Sequence, residues 1–195
     1  MAKERILRKN RDRTNYIGTL LLYRSMNRPE KNEYAEYYDR YISLIPEGEI
    51  VPILEKQIDD MAAMFAGVPE DKGTFSYAPG KWTTKESLSH VIDAERIFAY
   101  RLLRISRGDE TPLEGFDQEG YIENSNANAR SFADLLEEFA LQRRSNLLLI
   151  RNLSDAASRR MGTASDNPVS ARALAYMLAG HVKHHENIFR NNYLA

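Results

Sequence analysis

Cysteine is absent from the 195 residues. That excludes disulfides, thiolate metal sites and a cysteine nucleophile together, so any chemistry must come from histidine, carboxylates, hydroxyls, or Arg and Lys. Glycine and proline number only 10 and 7, too few for a low-complexity chain. No window approaches the ~20 apolar residues of a membrane span, and neither strand-like alternation nor an internal repeat is visible. Charge of one sign is scarce overall, at a net −1, but it is unevenly spread. Residues 1–25 carry seven Lys or Arg against two acids, for +5, and residues 26–195 carry −6. An acidic body argues against broad phosphate-backbone binding, so neither nucleic acid nor membrane is an expected partner. The basic start followed by Ile17-Gly18-Thr19-Leu20-Leu21-Leu22 has the order of a secretory leader. Its apolar stretch is short, however, and no small-x-small cleavage site follows. The reading is a basic N-terminal extension, 1–25, ahead of one domain, 26–195, in a cytoplasmic protein.

What the chain does have is helical spacing, in four segments. In residues 50–65, Ile50, Ile53, Leu54, Ile58, Met61 and Phe65 recur at three- and four-residue steps, and Pro52 fits a first turn, where no amide partner is needed. The second segment opens with Thr83-Thr84-Lys85-Glu86, a capping box that satisfies two orphan donors, and runs to about residue 107 before Gly108. The third begins near Ser131 and carries Phe132, Leu135, Leu136, Phe139, Leu147 and Ile150. The fourth begins near Ser170, with Leu174, Met177, Leu178, His181, His185, Ile188 and Phe189 in one stripe. An all-α four-helix bundle is the economical packing. The link from 108 to 130 is long beside the ~2–8 residues usual between antiparallel neighbours, so a crossover with the second and third helices parallel is expected. Tyr34, Tyr37, Tyr38 and Tyr41 suggest a short extra helix packed on the bundle, or a surface for a homodimer.

All four histidines fall on two of these helices: His90 on the second, and His181, His184 and His185 on the fourth. His181 and His185, at i and i+4, project from one face and interrupt a core-facing stripe. Buried imidazoles need partners, since an unpaired buried polar group costs on the order of 1–3 kcal/mol. A divalent ion gripped by His181, His185 and His90 supplies them; core histidines bonded to carbonyls are the alternative. Three neutral imidazoles suit Zn, Ni or Fe(II), and three protein ligands leave a position open for water or substrate. His184 points away from His181 and is assigned to a supporting or surface position. Val182 stands where a zinc metalloprotease of the His-Glu type has its general base, which excludes that class. Gly180 inside the fourth helix is unfavourable by roughly 1 kcal/mol against Ala, and either clears room for a facing helix or eases packing.

Residues 77–86 (YAPGKWTTKE), residues 89–96 (SHVIDAER) and the run from Val169-Ser170 to Gly180-His181-Val182-Lys183-His184-His185 resemble the DinB-like (DinB/YfiT) superfamily over most of 26–195. Phe98-Ala99-Tyr100-Arg101 and the blocks 108–109 and 115–117 are similar to one branch of it. The resemblance implies an up-down-down-up four-helix bundle and metal ligands at His90, His181 and His185. It also implies activities such as small-thiol S-transfer with bacillithiol or mycothiol, mycothiol-dependent maleylpyruvate isomerisation, or metal-dependent hydrolysis. Members of this branch often carry Glu where this chain has Val182. Family sequences commonly begin near Met26.

A small-thiol-dependent S-transferase acting on a small-molecule substrate is therefore the leading expectation, with a low-molecular-weight thiol as second cofactor. A metal-dependent hydrolase and a non-catalytic bundle pinned by metal are the alternatives. Arg101 and Arg172, with Lys81, are the candidate anchors for the thiol; Asp93, Glu95 and Asp117 are candidate acids, each also suited to ion pairing. Trp82, Phe116 and Tyr121 are candidate walls of the pocket mouth.

Overall fold

The computed structural model describes residues 26–194; the basic extension and its leader-like stretch lie outside the described residues. Among the described residues the α-helices and strands are α1 (Asp39–Ile42), α2 (Ile50–Phe65), α3 (Thr84–Ser106), α4 (Gln118–Glu123), α5 (Phe132–Arg151), α6 (Asp155–Ser158), β1 (Met161–Ala164), β2 (Asn167–Ser170) and α7 (Ala171–Ile188), with short 3-10 turns between some of them and a π-helical turn after α7. The four long helices match the four periodic segments, and their starts are set by local chemistry. Thr83 and Glu86 form the reciprocal capping box of α3. Ser131 accepts from the Asp134 amide at α5, and Ser170 from the Ala173 amide at α7. Gly108, at φ +82°, ends α3 in the left-handed region that favours glycine.

The contacts between helices fix their directions. Phe65, at the end of α2, meets Phe132 at the start of α5, while Arg151 at the end of α5 reaches back to Glu55; these two helices are antiparallel. Lys85 over the Phe132 ring at their starts, and Glu95 bonded to Arg143 further along both, run α3 and α5 in parallel. His90 beside His181, with Arg160 ahead of α7 bonded to the Ser106 carbonyl, makes α3 and α7 antiparallel. The course is up-down-down-up, and the parallel α3–α5 pair is what the long 107–131 connection serves. That connection carries α4, capped by Asp117, and is stitched to the hairpin by Leu113 N to Thr163 O (2.9 Å) and Ser165 N to Leu113 O (2.9 Å). Two apolar clusters fill the interior, one around Leu54, Leu102 and Met177 and one around Leu88, Phe139 and Phe189. Among the described residues, no helix is long and apolar enough to cross a membrane.

The hairpin corrects the expectation of no strand. Its strands are four residues long, in the register Met161↔Ser170 to Ala164↔Asn167, around a turn with Ser165 and Asp166 both at positive φ. That is primed-turn geometry, usually signalled by Asn-Gly. Here Ser-Asp takes it, and Pro168 sits inside β2, so neither the turn nor the strand signal is present in the sequence.

The tyrosine segment packs on the bundle as two 3-10 turns and the single turn of α1. Tyr34 and Tyr41 are buried and Tyr37 alone is strongly exposed, so most of its aromatic surface goes into this chain's own fold. Gly180 is the reason it fits. A Cβ there would lie 2.5 Å from the Tyr41 carbonyl carbon and 2.9 Å from its Cβ, so the close approach is to the tyrosine segment, not to a bundle helix. Gly→Ala inside a helix ordinarily stabilises by about 1 kcal/mol. At Gly180 the obstructing atoms are mostly backbone, and overpacking of this kind costs about 1–3 kcal/mol. Gly180→Ala is therefore expected to lower the denaturation midpoint, and a raised midpoint would contradict this account of the glycine.

Candidate metal centre

His90 lies near the start of α3, and His181 and His185 near the end of α7; because those helices are antiparallel, the three rings meet at one end of the bundle. One nitrogen of each lies within 4.8 Å of the others. His90 Nε2 and His181 Nε2 are 3.2 Å apart, and the His181 and His185 ring centres are 4.6 Å apart. Two nitrogens bound tetrahedrally to one zinc ion at about 2.0–2.1 Å are separated by roughly 3.3 Å, so the spacing fits a shared ion. The rings are buried, at 5, 5 and 7% exposure, and among the described residues His185 Nδ1 has no hydrogen-bond partner. An orphaned buried nitrogen inside a cluster of imidazoles fits a cation better than self-satisfied packing does.

The electrostatics agree. Burial, reinforced by His184, lowers the His90 pKa to about 4. Burial, then His185 and His90, drives His181 well below its ordinary value, and burial followed by His90 does the same at His185. The rings are thus held neutral with lone pairs available, the form a metal requires. Aromatic rings frame them: Trp82 lies 4.8 Å from His90, Phe98 5.7 Å and Tyr41 5.3 Å from His181. His184 stays outside the trio, half-buried, with its ring 5.3 Å from both Tyr41 and His185.

Two cavities open on the trio. One of about 500 Å3 is lined by Tyr37, Tyr38, Tyr41, His90, Arg101, Asp117, Glu119 and His181 among others; one of about 240 Å3 is lined by Lys81, Trp82, Glu119, His185 and Tyr193 among others. The crossover residues 115–119 wall the larger cavity, and Trp82 Nε1 donates to Glu119 Oε2 at 3.0 Å, tying that wall to the entrance of α3. Arg101, Lys81, Trp82, Phe116 and Asp117 are therefore brought to the site, whereas Tyr121 packs on Phe116 outside the cavity linings.

Other expected site residues are placed elsewhere. Arg172, the second residue of α7, is buried against Glu33, with Nε to Oε2 at 2.7 Å. It is nine positions, about 13 Å, from His181 along the helix and holds the tyrosine segment rather than facing either cavity. Glu95 is buried in a two-pronged pair with Arg143, both bonds 2.8 Å, and accepts from Asn146 at 2.9 Å. Asp93 lies near Arg96 at 3.8 Å, and burial raises its pKa. Sequence reasoning missed Arg143, although Leu135, Phe139, Arg143 and Leu147 recur every fourth residue and put its guanidinium in a core-facing row. Glu119 was also missed; it lies in the first turn of α4, a six-residue helix too short to carry a periodic signal.

A four-helix bundle of up-down-down-up course, with three imidazoles meeting at one end, defines the class. The chain belongs to the DinB superfamily, whose family model matches residues 53–188. Its fold is similar to that of YfiT from Bacillus subtilis, described as a probable metal-dependent hydrolase with an unusual four-helix bundle topology. The TM-score is 0.65 at 16% identity, covering 83% of this chain and 91% of that one. It is also similar to a mycothiol-dependent maleylpyruvate isomerase, with TM-score 0.59 at 17% identity over 74% of this chain and 60% of that one. The chain thus spans under two thirds of the isomerase. No curated protein sequence matches it significantly.

Proposed function

We propose that the protein is a metal-dependent enzyme in which His90, His181 and His185 hold one divalent ion, Zn, Ni or Fe, and that it transfers a small thiol to an electrophilic small molecule. The observation that carries this reading is the meeting of three neutral ring nitrogens within 4.8 Å beside a cavity of about 500 Å3. Among the described residues no fourth His, Asp or Glu joins the group, which supports an open coordination position over a closed structural pin. When bound, such an ion lowers the pKa of a coordinated thiol or water.

The chain's own residues bind and orient. Trp82, Phe98 and Tyr41 fix the imidazole rings and exclude water from their edges. Arg101 and Lys81 present cations to the larger and smaller cavity respectively. In the transfer the thiol proton is released to solvent, the sulfur bonds to the electrophilic carbon, and that carbon's bond to its leaving group breaks with the electron pair going to the leaving group. Hydrolysis is the second reading, favoured by the carboxylates of Asp117 and Glu119 lining the larger cavity, where an acid or base has to stand. Metal-loaded protein supplied with bacillithiol, mycothiol or glutathione and a panel of alkyl and aryl electrophiles is expected to turn over with one thiol. No turnover with any thiol rejects transfer, and thiol-independent cleavage of esters or amides moves the assignment to a hydrolase.

A further inference from the structure

Four cationic side chains are buried among the described residues: Lys85, Arg101, Arg143 and Arg172. Three have a carboxylate in contact, Lys85 with Glu70 (2.7 Å), Arg143 with Glu95 (2.8 Å) and Arg172 with Glu33. Arg101, 3% exposed, has none among the described residues. Its Nη2 donates to neutral oxygens, the Glu114 carbonyl at 2.6 Å and the Ser165 hydroxyl at 3.0 Å, with the Tyr38 phenol beside it. It also lines the same cavity as His90 and His181. Charges leave water readily only when paired. The fold compensates the other three internally and leaves this one facing the cavity, which points to an anion arriving from outside.

We infer that Arg101 is the receptor for a carboxylate, and that the small molecule occupying the larger cavity is an acid whose far end reaches the histidine cluster. This rests on the metal-site reading for that far end only. The planar guanidinium suits a carboxylate, which it can grip with two parallel hydrogen bonds. The hairpin and the crossover hold it ready: Ser165 comes from the β1–β2 turn, and Glu114 from the segment pinned to that hairpin through Leu113. His90 and Arg101 are 11 residues apart on α3, about 16 Å along its axis. Side chains reaching into the cavity from both ends shorten that span, so the ligand is an elongated acid rather than a compact one such as acetate.

The test is calorimetric titration of the full-length, metal-loaded protein with 6-mercaptohexanoate and its neutral counterpart 6-mercaptohexanol. The acid is expected to bind at least about tenfold more tightly, as befits a charge-assisted pair. Arg101→Gln is expected to bring the two to equal affinity, and Arg101→Lys to keep part of the preference. Equal affinities in the unaltered protein, or a preference untouched by Arg101→Gln, would overturn the assignment. If neither thiol binds, the metal reading fails, and hexanoate against hexanol decides the receptor alone: a preference for hexanoate that Arg101→Gln abolishes upholds it, and no preference overturns it. Circular dichroism of both variants monitors folding, and Arg101→Lys, which retains the charge, keeps the comparison available should Arg101→Gln unfold.

Discussion

Replacing Arg143 with Met is expected to destabilise the protein by about 3–5 kcal/mol, the size found when one partner of a buried ion pair is removed. In a chain of this length that corresponds to a fall in melting temperature of roughly 10 °C. The reason is what Arg143 holds. Its guanidinium bonds both oxygens of Glu95 on α3, Gln57 Oε1 on α2 at 2.7 Å and the Leu178 carbonyl on α7 at 3.2 Å, while Gln57 donates to the Ala179 carbonyl at 2.8 Å. All four long helices thus meet at one polar knot, and its α7 anchor lies one turn from His181. Removing the arginine strands the Glu95 carboxylate without a counter-charge. The double replacement Arg143→Met with Glu95→Leu is expected to recover most of the loss, because two apolar groups leave no orphan charge. Urea denaturation of the unaltered protein and the two variants distinguishes the cases. A loss under about 1 kcal/mol for the single variant would mean that the pair is not the closed, dry contact described here.

The second large effect is acid instability of the protein stripped of metal. His90, His181 and His185 each have a folded pKa depressed below the ordinary value of 6.5. Each therefore contributes stability above pH 6.5, which is lost as the unfolded chain takes up protons that the buried rings refuse. For His90 the window runs from 6.5 down to about 4, and at about 1.36 kcal/mol per unit this one ring accounts for about 3 kcal/mol. The other two extend the loss below that window. Carboxylates such as Glu33 and Glu138, whose folded pKa values lie below 4.5 despite burial because Arg172 and Arg96 are bonded to them, add their losses only at lower pH. Unfolding free energy measured between pH 7.5 and 5.5 with a chelator present should fall steeply with acid. A flat profile there would mean that the rings are solvated and protonatable in the folded chain.

Much of this was legible in the sequence, for reasons that differ by element. Helix faces and caps are local, so periodicity located the four long helices, and the Thr83–Glu86 box placed the start of α3. The length of the 108–130 link carried the parallel α3–α5 arrangement, because a short turn cannot join parallel helices. The convergence of the histidines follows from residues that interrupt apolar rows, and Arg143 sits in such a row too, legible by the same logic. Where pairing is decided by distant chain segments, the pattern was silent. Nothing near Arg172 announces Glu33, 139 positions away, and nothing near Arg101 announces that no acid among the described residues reaches it. The hairpin was hidden because Ser165-Asp166 adopts a turn usually reserved for Asn and Gly. Gly180 could be recognised as unusual in a helix, but only the fold reveals that its neighbour is the Tyr41 backbone.

The most direct test of the central claim is metal content and coordination in untagged protein, by elemental analysis and X-ray absorption, alongside His181→Ala. The expected result is about one divalent transition metal per chain with three imidazole nitrogens at roughly 2.0–2.1 Å if the ion is zinc, and loss of that ion in the variant. Unaltered protein that takes up no ion when supplied with zinc, nickel or iron, or a His181→Ala variant that keeps its full complement, would contradict it.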